Sequence, residues 1–337
     1  MVELLDKPAG FERIVSDDSA FHADIRLLRH LAWERWIATG FPTTRDEEWK
    51  YTPLKEASER AWKSAPAGHA DISDLDAYRF GPSIVLLNGR VAPHLSDLSG
   101  LPSGVTVSSI RESAPSPGLG SIASLEGRLG STNDERFTHL NTALFEDGLV
   151  IRAARGVRSD EPISIIHAQT GADGLAVHPR TLVLVEEDAG LKLVESYVGL
   201  SGAFFTNAVT EILVGRHGSV EHVRDQRETR ATYHIGLVSA HQEADSSFTS
   251  YSTQFGGRIG RRYVNLWLNG EHTESRLDGV YVGTGGQILD NKTRIDHAKP
   301  NCHSFEAYKG ILADRATGVF NGKIFVYEDA QKTDAKQ

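Results

Sequence analysis

EDAGLKLVES, residues 187–196, is the first of four phrases that decide the fold; GRHGSVEHVR (215–224), HQEADSSFTS (241–250) and LNGEHTESRL (268–277) repeat its sense. Each sets a small or turn-forming residue (Gly190, Gly218, Asp245, Gly270) just ahead of a strand-like run, and these landmarks lie 28, 27 and 25 positions apart. A strand-turn-strand-turn unit of that length is what a β-solenoid produces, because each coil stacks on the one before it and pairs its strands in parallel. The competing reading is a sandwich, which gives short strands but no recurrence of the same turn chemistry at coil length.

The same texture spreads in both directions. LVIRA, ISIIHA, TLVLVEE, LKLVESYV, VTEILV, SVEHVR, SFTSYS, YVNLWL, GVYV and GVFNGKIFVY follow one another from Gly148 onward with almost no helical periodicity, so residues 148–337 are expected to form a β-helix core. Upstream, IVLLNGRVAPHL (84–95) reads as a hairpin around Asn88-Gly89, the residue pair that tolerates the left-handed backbone of a two-residue turn. RESAPSPGLGSIASLEGRLGS (111–131) is ambiguous, with a short helix expected over Thr138 to Phe145. These pieces make residues 71–147 a connecting segment. Residues 1–70 are expected to be a small helical region, with Phe21, Ile25, Leu28, Ala32 and Trp36 at helical steps behind Asp/Ser capping candidates from Asp18. Ser64 to Asp71 reads as a linker.

Composition excludes several functions. Formal charge is 36 − 45 = −9 with no basic block, so nucleic acid is repelled. The first twenty residues have no basic start followed by an apolar run, and no apolar stretch is long enough to span a bilayer, so the expectation is a cytoplasmic protein with no membrane partner. A single cysteine, Cys302, excludes an internal disulfide and an all-cysteine metal cage.

Chemical candidates are sparse. The chain has 14 histidines, but His217/His222 and His234/His241 are odd distances apart and diverge on a strand; solvent faces or turns are expected for them. Asp296, His297, Cys302 and His303 cluster around Pro300, and a cysteine with a histidine can ligate a soft metal. GTGGQILDN (283–291) is glycine-rich but no helix follows it, so it does not cradle phosphate. No Gly-x-Ser-x-Gly elbow occurs. A carbohydrate-active β-helix enzyme is an alternative function, with Asp278 and Asp290 as its available carboxylates.

TTRDEEWKYTPL (43–54) and YKGILADRATGVFNGKIFVYEDAQKTDAKQ (308–337) together resemble the SufB/SufD family of iron-sulfur cluster assembly proteins. LLNGRVAPHLSDL, HLNTALFEDGLVI, HPRTLVLVEEDAGLKLVESYVG, FTNAVTEILVG, LDGVYV and DNKTRIDHAKPNCHS follow the family's order between them. Glu47, Glu48, Trp49, Lys50 and Tyr51 make the chain more similar to the SufD branch than to SufB. The resemblance implies a mainly β fold, a right-handed parallel β-helix preceded by helices, and a noncatalytic scaffold that works with SufB and the ATPase SufC. It implies no catalytic residue, no stably bound cofactor, and a nascent iron-sulfur cluster at the junction with SufB; a reduced flavin stays open. Family members continue beyond this chain's Asp-Ala-Lys-Gln end, so a shortened chain is the expectation. Cys302 and His303 are candidate cluster-proximal residues. Trp49 and Tyr51 are expected to pack the N-terminal region on the first coils. Asn321, Gly322 and Lys323 are expected to shape a strand bend, and Asn321, Lys323, Lys332, Thr333 and Asp334 to lie at an interface, where a SufB chain or a second copy adds a strand.

Overall fold

The computed structural model describes Phe11, residues 21–111 and residues 136–336. It opens with helix α1 (Ala23–Thr39) and the one-turn helix α2 (Lys55–Ser58). The short strands β1 (Lys63–Ser64), β2 (Ser83–Leu87), β3 (Arg90–Val91) and β4 (Val105–Ser109) precede helix α3 (Arg136–Leu144). From there only strands follow: β5 (Leu149–Ala153), β6 (Ile163–Gln169), β7 (Leu175–Val177), β8 (Arg180–Val185), β9 (Gly190–Gly199), β10 (Phe204–Val214), β11 (Ser219–Arg227), β12 (Tyr233–Gln242), β13 (Ser247–Gln254), β14 (Ile259–Leu268), β15 (Glu274–Gly283), β16 (Ile288–His297), β17 (His303–Leu312), β18 (Thr317–Val326) and β19 (Asp334–Lys336).

From β8 onward alternate strands go to opposite sheets. One sheet runs β18-β16-β14-β12-β10-β8-β5-β4, and the other β19-β17-β15-β13-β11-β9-β6-β2-β3. Pairings from β8 and β9 onward are parallel, so the chain winds as a β-solenoid and the sandwich is excluded. The Asn88-Gly89 hairpin is present, with both residues at positive φ between β2 and β3. The helix expected at Thr138 is α3. The start expected for the first helix, Asp18 to Ala20, and most of residues 111–131 lie outside the described residues.

Register corrects the period. Gly190, Ser219, Ser247, Glu274, His303 and Asp334 are strand neighbours in succession, which makes the steps 29, 28, 27, 29 and 31 residues. The element that recurs is a left-handed residue two positions ahead of each of these strands. Asp188, His217, Asp245, His272, Asn301 and Lys332 hold φ of 61, 55, 59, 57, 60 and 57°. Asp, Asn and His are the non-glycine residues most often found in this region, because their short polar side chains bond locally. The landmark glycines sit at different offsets within this turn, hence their shorter spacings.

The two sheets differ on their outer faces. Phe11, Trp36, Trp49, Leu54, Ala57, Trp62 and Phe137 form one apolar cluster with Phe205, Tyr233, Ile235 and Ile259, so the N-terminal region covers the outside of β10, β12 and β14. Buried on both faces, β10 and β12 lose the in-out alternation that marks a strand in sequence. The other sheet is open outside, and β11, β13 and β15 keep that alternation. Ser64 to Asp71 is not a free linker, since Lys63 and Ser64 pair with Leu175 and Ala176 and Ala65 is buried.

The EEWKY motif docks on later coils than expected. Trp49 lies over the Arg261 guanidinium, 3.6 Å from ring centroid to Cζ, and Thr52 donates to Asp290. Glu48 Oε2 accepts from Lys292 Nζ at 2.6 Å, and Oε1 from Lys323 Nζ. The segment therefore crosses β14, β16 and β18, whereas Tyr51 is 62% exposed. Asn321 to Lys323 make no bend: they pair without interruption with Lys292 to Arg294. Burial pushes the Glu48 carboxyl up, but the hydrogen bonds from Lys292 and Lys323 outweigh it and bring it down to about 2. A depressed carboxyl stabilises above its unfolded value of 4.5 and loses that contribution as pH falls toward 2. Glu48→Gln should cost about 1–2 kcal/mol at pH 7, read as a lower urea midpoint and faster amide exchange in β18. The difference from wild type should shrink below pH 4.5; unchanged exchange in β18 would show that the clamp does not hold this rung.

Candidate functional site

The sequence candidates separate into two places. Cys302 is fully buried in the turn between β16 and β17, within the core cluster of Leu268, Leu277 and Ile295. Its thiol donates to the Gly270 carbonyl at 3.2 Å. Gly270 is required there by close approach, since a Cβ would lie 1.9 Å from the Ala244 nitrogen in the coil before. His303, one residue on, opens β17 and faces solvent. It is the strand neighbour of Glu274 and Asp334, and an open groove of about 360 Å³ runs past Glu274, Arg276, His303, Phe305, Asp334 and Lys336. Lys332 occupies the left-handed turn position, and Thr333 caps the same turn by donating to Ala330 at 2.9 Å. Asn321 and Lys323 are on the other sheet, with Asn321 exposed and Lys323 held by Glu48.

The carboxylates of the carbohydrate reading do not meet. Asp278 lies on β15 paired with Arg276, whereas Asp290 is buried on β16 against Arg261 and Thr52. They belong to opposite sheets, so no groove is lined by the pair.

The histidines give the largest departure. His217 is in an exposed turn, but His222, His234 and His297 are fully buried inside the solenoid, and His241 is buried on the outer face beside Trp267. Solvent exposure had been expected. The opposed directions within each pair hold, and the inward member meets a polar interior.

That interior is apolar toward one edge of the sheets, where Leu191, Leu193, Ile212, Val220, Val238 and Leu266 pack. Toward the other edge the inward positions are polar. Glu195, with no exposure, accepts from Tyr197 and Thr210 hydroxyls at 3.1 and 2.8 Å and lies 3.1 Å from the Nε2 atoms of His167 and His222. Burial raises its carboxyl, but His167 and His222 outweigh burial and hold it well below the ordinary range. Glu228, equally buried, accepts from Thr206, from Gln169 at 2.9 Å and from Gln226 at 2.7 Å, and lies 2.7 Å from His234 Nδ1. The other nitrogen, Nε2, is 2.7 Å from Arg224 Nη2. A guanidinium can only donate, so Nε2 accepts and the proton sits on Nδ1, facing Glu228. Burial accordingly keeps His234 below its ordinary value.

These groups were legible only in part. In LKLVESY, Leu191, Leu193, Glu195 and Tyr197 share one face, so a carboxylate stands in the apolar phase of its strand, the mark of a buried polar group. Its partners His167 and His222 come from strands one coil away on either side, which no single segment reveals. The triad is not a ready metal cage: among the described residues, the group whose ligand atoms lie within 4.8 Å of one another is Glu187, Asp188 and His217, at the exposed turns. There His217 Nδ1 is already hydrogen-bonded to Asp188 at 3.2 Å.

Comparison with known proteins places both halves. Residues 167–337 match the family model described as SUF system FeS cluster assembly, SufBD core domain, and residues 13–165 match the SufBD protein N-terminal region. The chain is 28% identical over 312 residues to an iron-sulfur cluster assembly SufBD family protein of Synechocystis, covering 88% of this chain and 68% of the relative. It is 28% identical over 311 residues to the iron-sulfur cluster assembly protein SufD of Escherichia coli, covering 90% and 70%. A chloroplastic protein of Arabidopsis thaliana, ABCI7, is 28% identical over 345 residues, covering 99% and 72%.

Proposed function

Because the chain belongs to the SufBD family of iron-sulfur cluster assembly proteins, we propose that it is a SufD-type scaffold subunit that pairs with a SufB-type chain and works beside a SufC-type ATPase in the cytoplasm. The carrying observation is that the N-terminal and core regions of the family form one packed body, joined by Glu48, Trp49 and Thr52. Nucleotide hydrolysis falls to the SufC-type partner, and this chain's part is noncatalytic. Among the described residues β18 and β19 stand last at one end of the two sheets and β4 and β3 at the other, and strand addition uses a sheet edge. The cluster is cargo built at that junction. His303 has the exposure to lie close to it; Cys302, packed inward against Gly270, is its buried neighbour.

Co-expression of the full chain with SufB-type and SufC-type proteins tests the assignment. A stable complex that develops visible absorption on anaerobic reconstitution with iron and sulfide is expected. Failure of the chain to associate with either protein would remove the scaffold reading. Sedimentation of the chain alone shows whether the same edges pair two copies of it.

A further inference from the structure

Two guanidinium groups cross the solenoid interior in opposite directions on neighbouring coils. Arg224 leaves β11 and reaches the opposite sheet at Gly236, where a Cβ in place of the glycine hydrogen would lie 2.1 Å from its Nη2. Arg262, the strand neighbour of Gly236, starts from β14 and travels back to β13. There it donates to the Ser252 hydroxyl, and Ser252 is the strand neighbour of Arg224. The two side chains therefore run past one another one rung apart, 2% and 5% exposed.

Neither has a carboxylate partner. Among the described residues no ion pair involves Arg224 or Arg262. Arg224 bonds His234 and lies over the Tyr197 ring at 4.8 Å; Arg262 bonds Ser252 and the Tyr308 hydroxyl, the latter at 3.2 Å. Arg224 Nε and Nη1 and Arg262 Nε have no acceptor at all. The carboxylates beside Arg224 are spent, Glu195 on four donors and Glu228 on Thr206, Gln169, Gln226 and His234; Glu306, also buried, acts on Tyr308 and forms no ion pair with Arg262. Burial pulls Arg262 below its ordinary value, and the charge of Arg224 adds to that pull. A guanidinium stays charged in a protein, and buried charges are compensated by an opposite charge or they are not retained.

We propose that a small monovalent inorganic anion of halide size binds inside the solenoid between Arg224 and Arg262, accepting from the guanidinium nitrogens that lack a protein acceptor. One anion offsets the repulsion between the two cations and completes their hydrogen bonding through charge-assisted contacts. The ligand is inorganic and small because both guanidinium groups it would bridge are almost wholly buried.

The full chain purified and crystallised in sodium bromide should show an anomalous bromide peak within hydrogen-bonding distance of both Arg224 and Arg262. Neutral water density without anomalous signal at that point would overturn the proposal. In solution, the melting temperature should rise with bromide at constant ionic strength set with sodium gluconate, because a ligand of the folded state stabilises by mass action. Arg262→Met, which keeps the length and removes the charge, should lose the bromide-specific part of that rise. A rise of equal size in Arg262→Met would also overturn it, and the crystallographic result on the unaltered chain decides the matter if that variant does not fold.

Discussion

Trp49→Ala is expected to lower the unfolding free energy by about 3–5 kcal/mol, the range for truncating a fully buried large aromatic. The indole is 1% exposed and packs between the Arg261 guanidinium and the tilted Phe137 ring, with centroids 5.3 Å apart in the second contact. Its loss does more than leave a cavity. The Arg261–Asp290 pair, 2.8 Å apart and almost completely buried, depends on that ring as its lid, and water reaching it would unfasten the N-terminal segment from β14 and β16. A domain is stable by about 5–15 kcal/mol in total, so this single change removes a large share. Tyr51→Ala, two residues on, is the internal control: the ring is 62% exposed, and a surface change of this kind stays within about 0.5 kcal/mol. Urea denaturation of both variants checks the pair. Equal small losses would show that the motif does not clamp the later coils.

This contrast shows what the sequence could carry. The two aromatics of EEWKY look alike in sequence, because a helical or strand period is needed to assign a face and a three-residue 3-10 turn (Glu47–Trp49) has none to offer. Local signals did well where the physics is local: Asn88-Gly89 names its own turn, and the Asp and His turn residues name the coil. Strand β16 escapes for a different reason. ILDNKTRIDH in β16 is polar on both faces, since Asp290 and Lys292 are satisfied outside by the N-terminal segment and Asn291 and Thr293 face the polar interior. No alternation survives when both environments are polar. The interior network required register across coils 27–31 residues apart, and a one-residue slip in any strand would have turned Glu195 or Arg224 outward.

Glu228→Leu should cost about 3–5 kcal/mol at pH 7, because the leucine strands several buried donors that the carboxylate now satisfies. Thr206, Gln169 and Gln226 would lose their acceptor, and His234 would keep its proton on Nδ1 with nothing to receive it. Acid titration gives the sharper test. Burial raises the Glu228 carboxyl, yet His234, Thr206 and Gln226 outweigh burial and leave it at about 2, against 4.5 for the unfolded side chain. Between those values the unfolded chain binds more protons, so stability must fall as pH falls. His178 acts in a separate window: burial beside Phe11 outweighs the hydrogen bond to Asn207 and lowers it from 6.5 to about 4, so it makes the folded state lose ground already from pH 6.5 downward. Urea midpoints of the unaltered chain should therefore decline from pH 6.5 and continue to decline below 4.5. Glu228→Gln, which holds the shape and cannot ionise, should keep the decline above pH 4.5 and make it shallower below, where Asp46, Glu48 and Glu195 still titrate. An unchanged slope below 4.5 in that variant would mean that Glu228 is not what acid attacks, and that the loss belongs to the other depressed carboxyls, Asp46, Glu48 and Glu195.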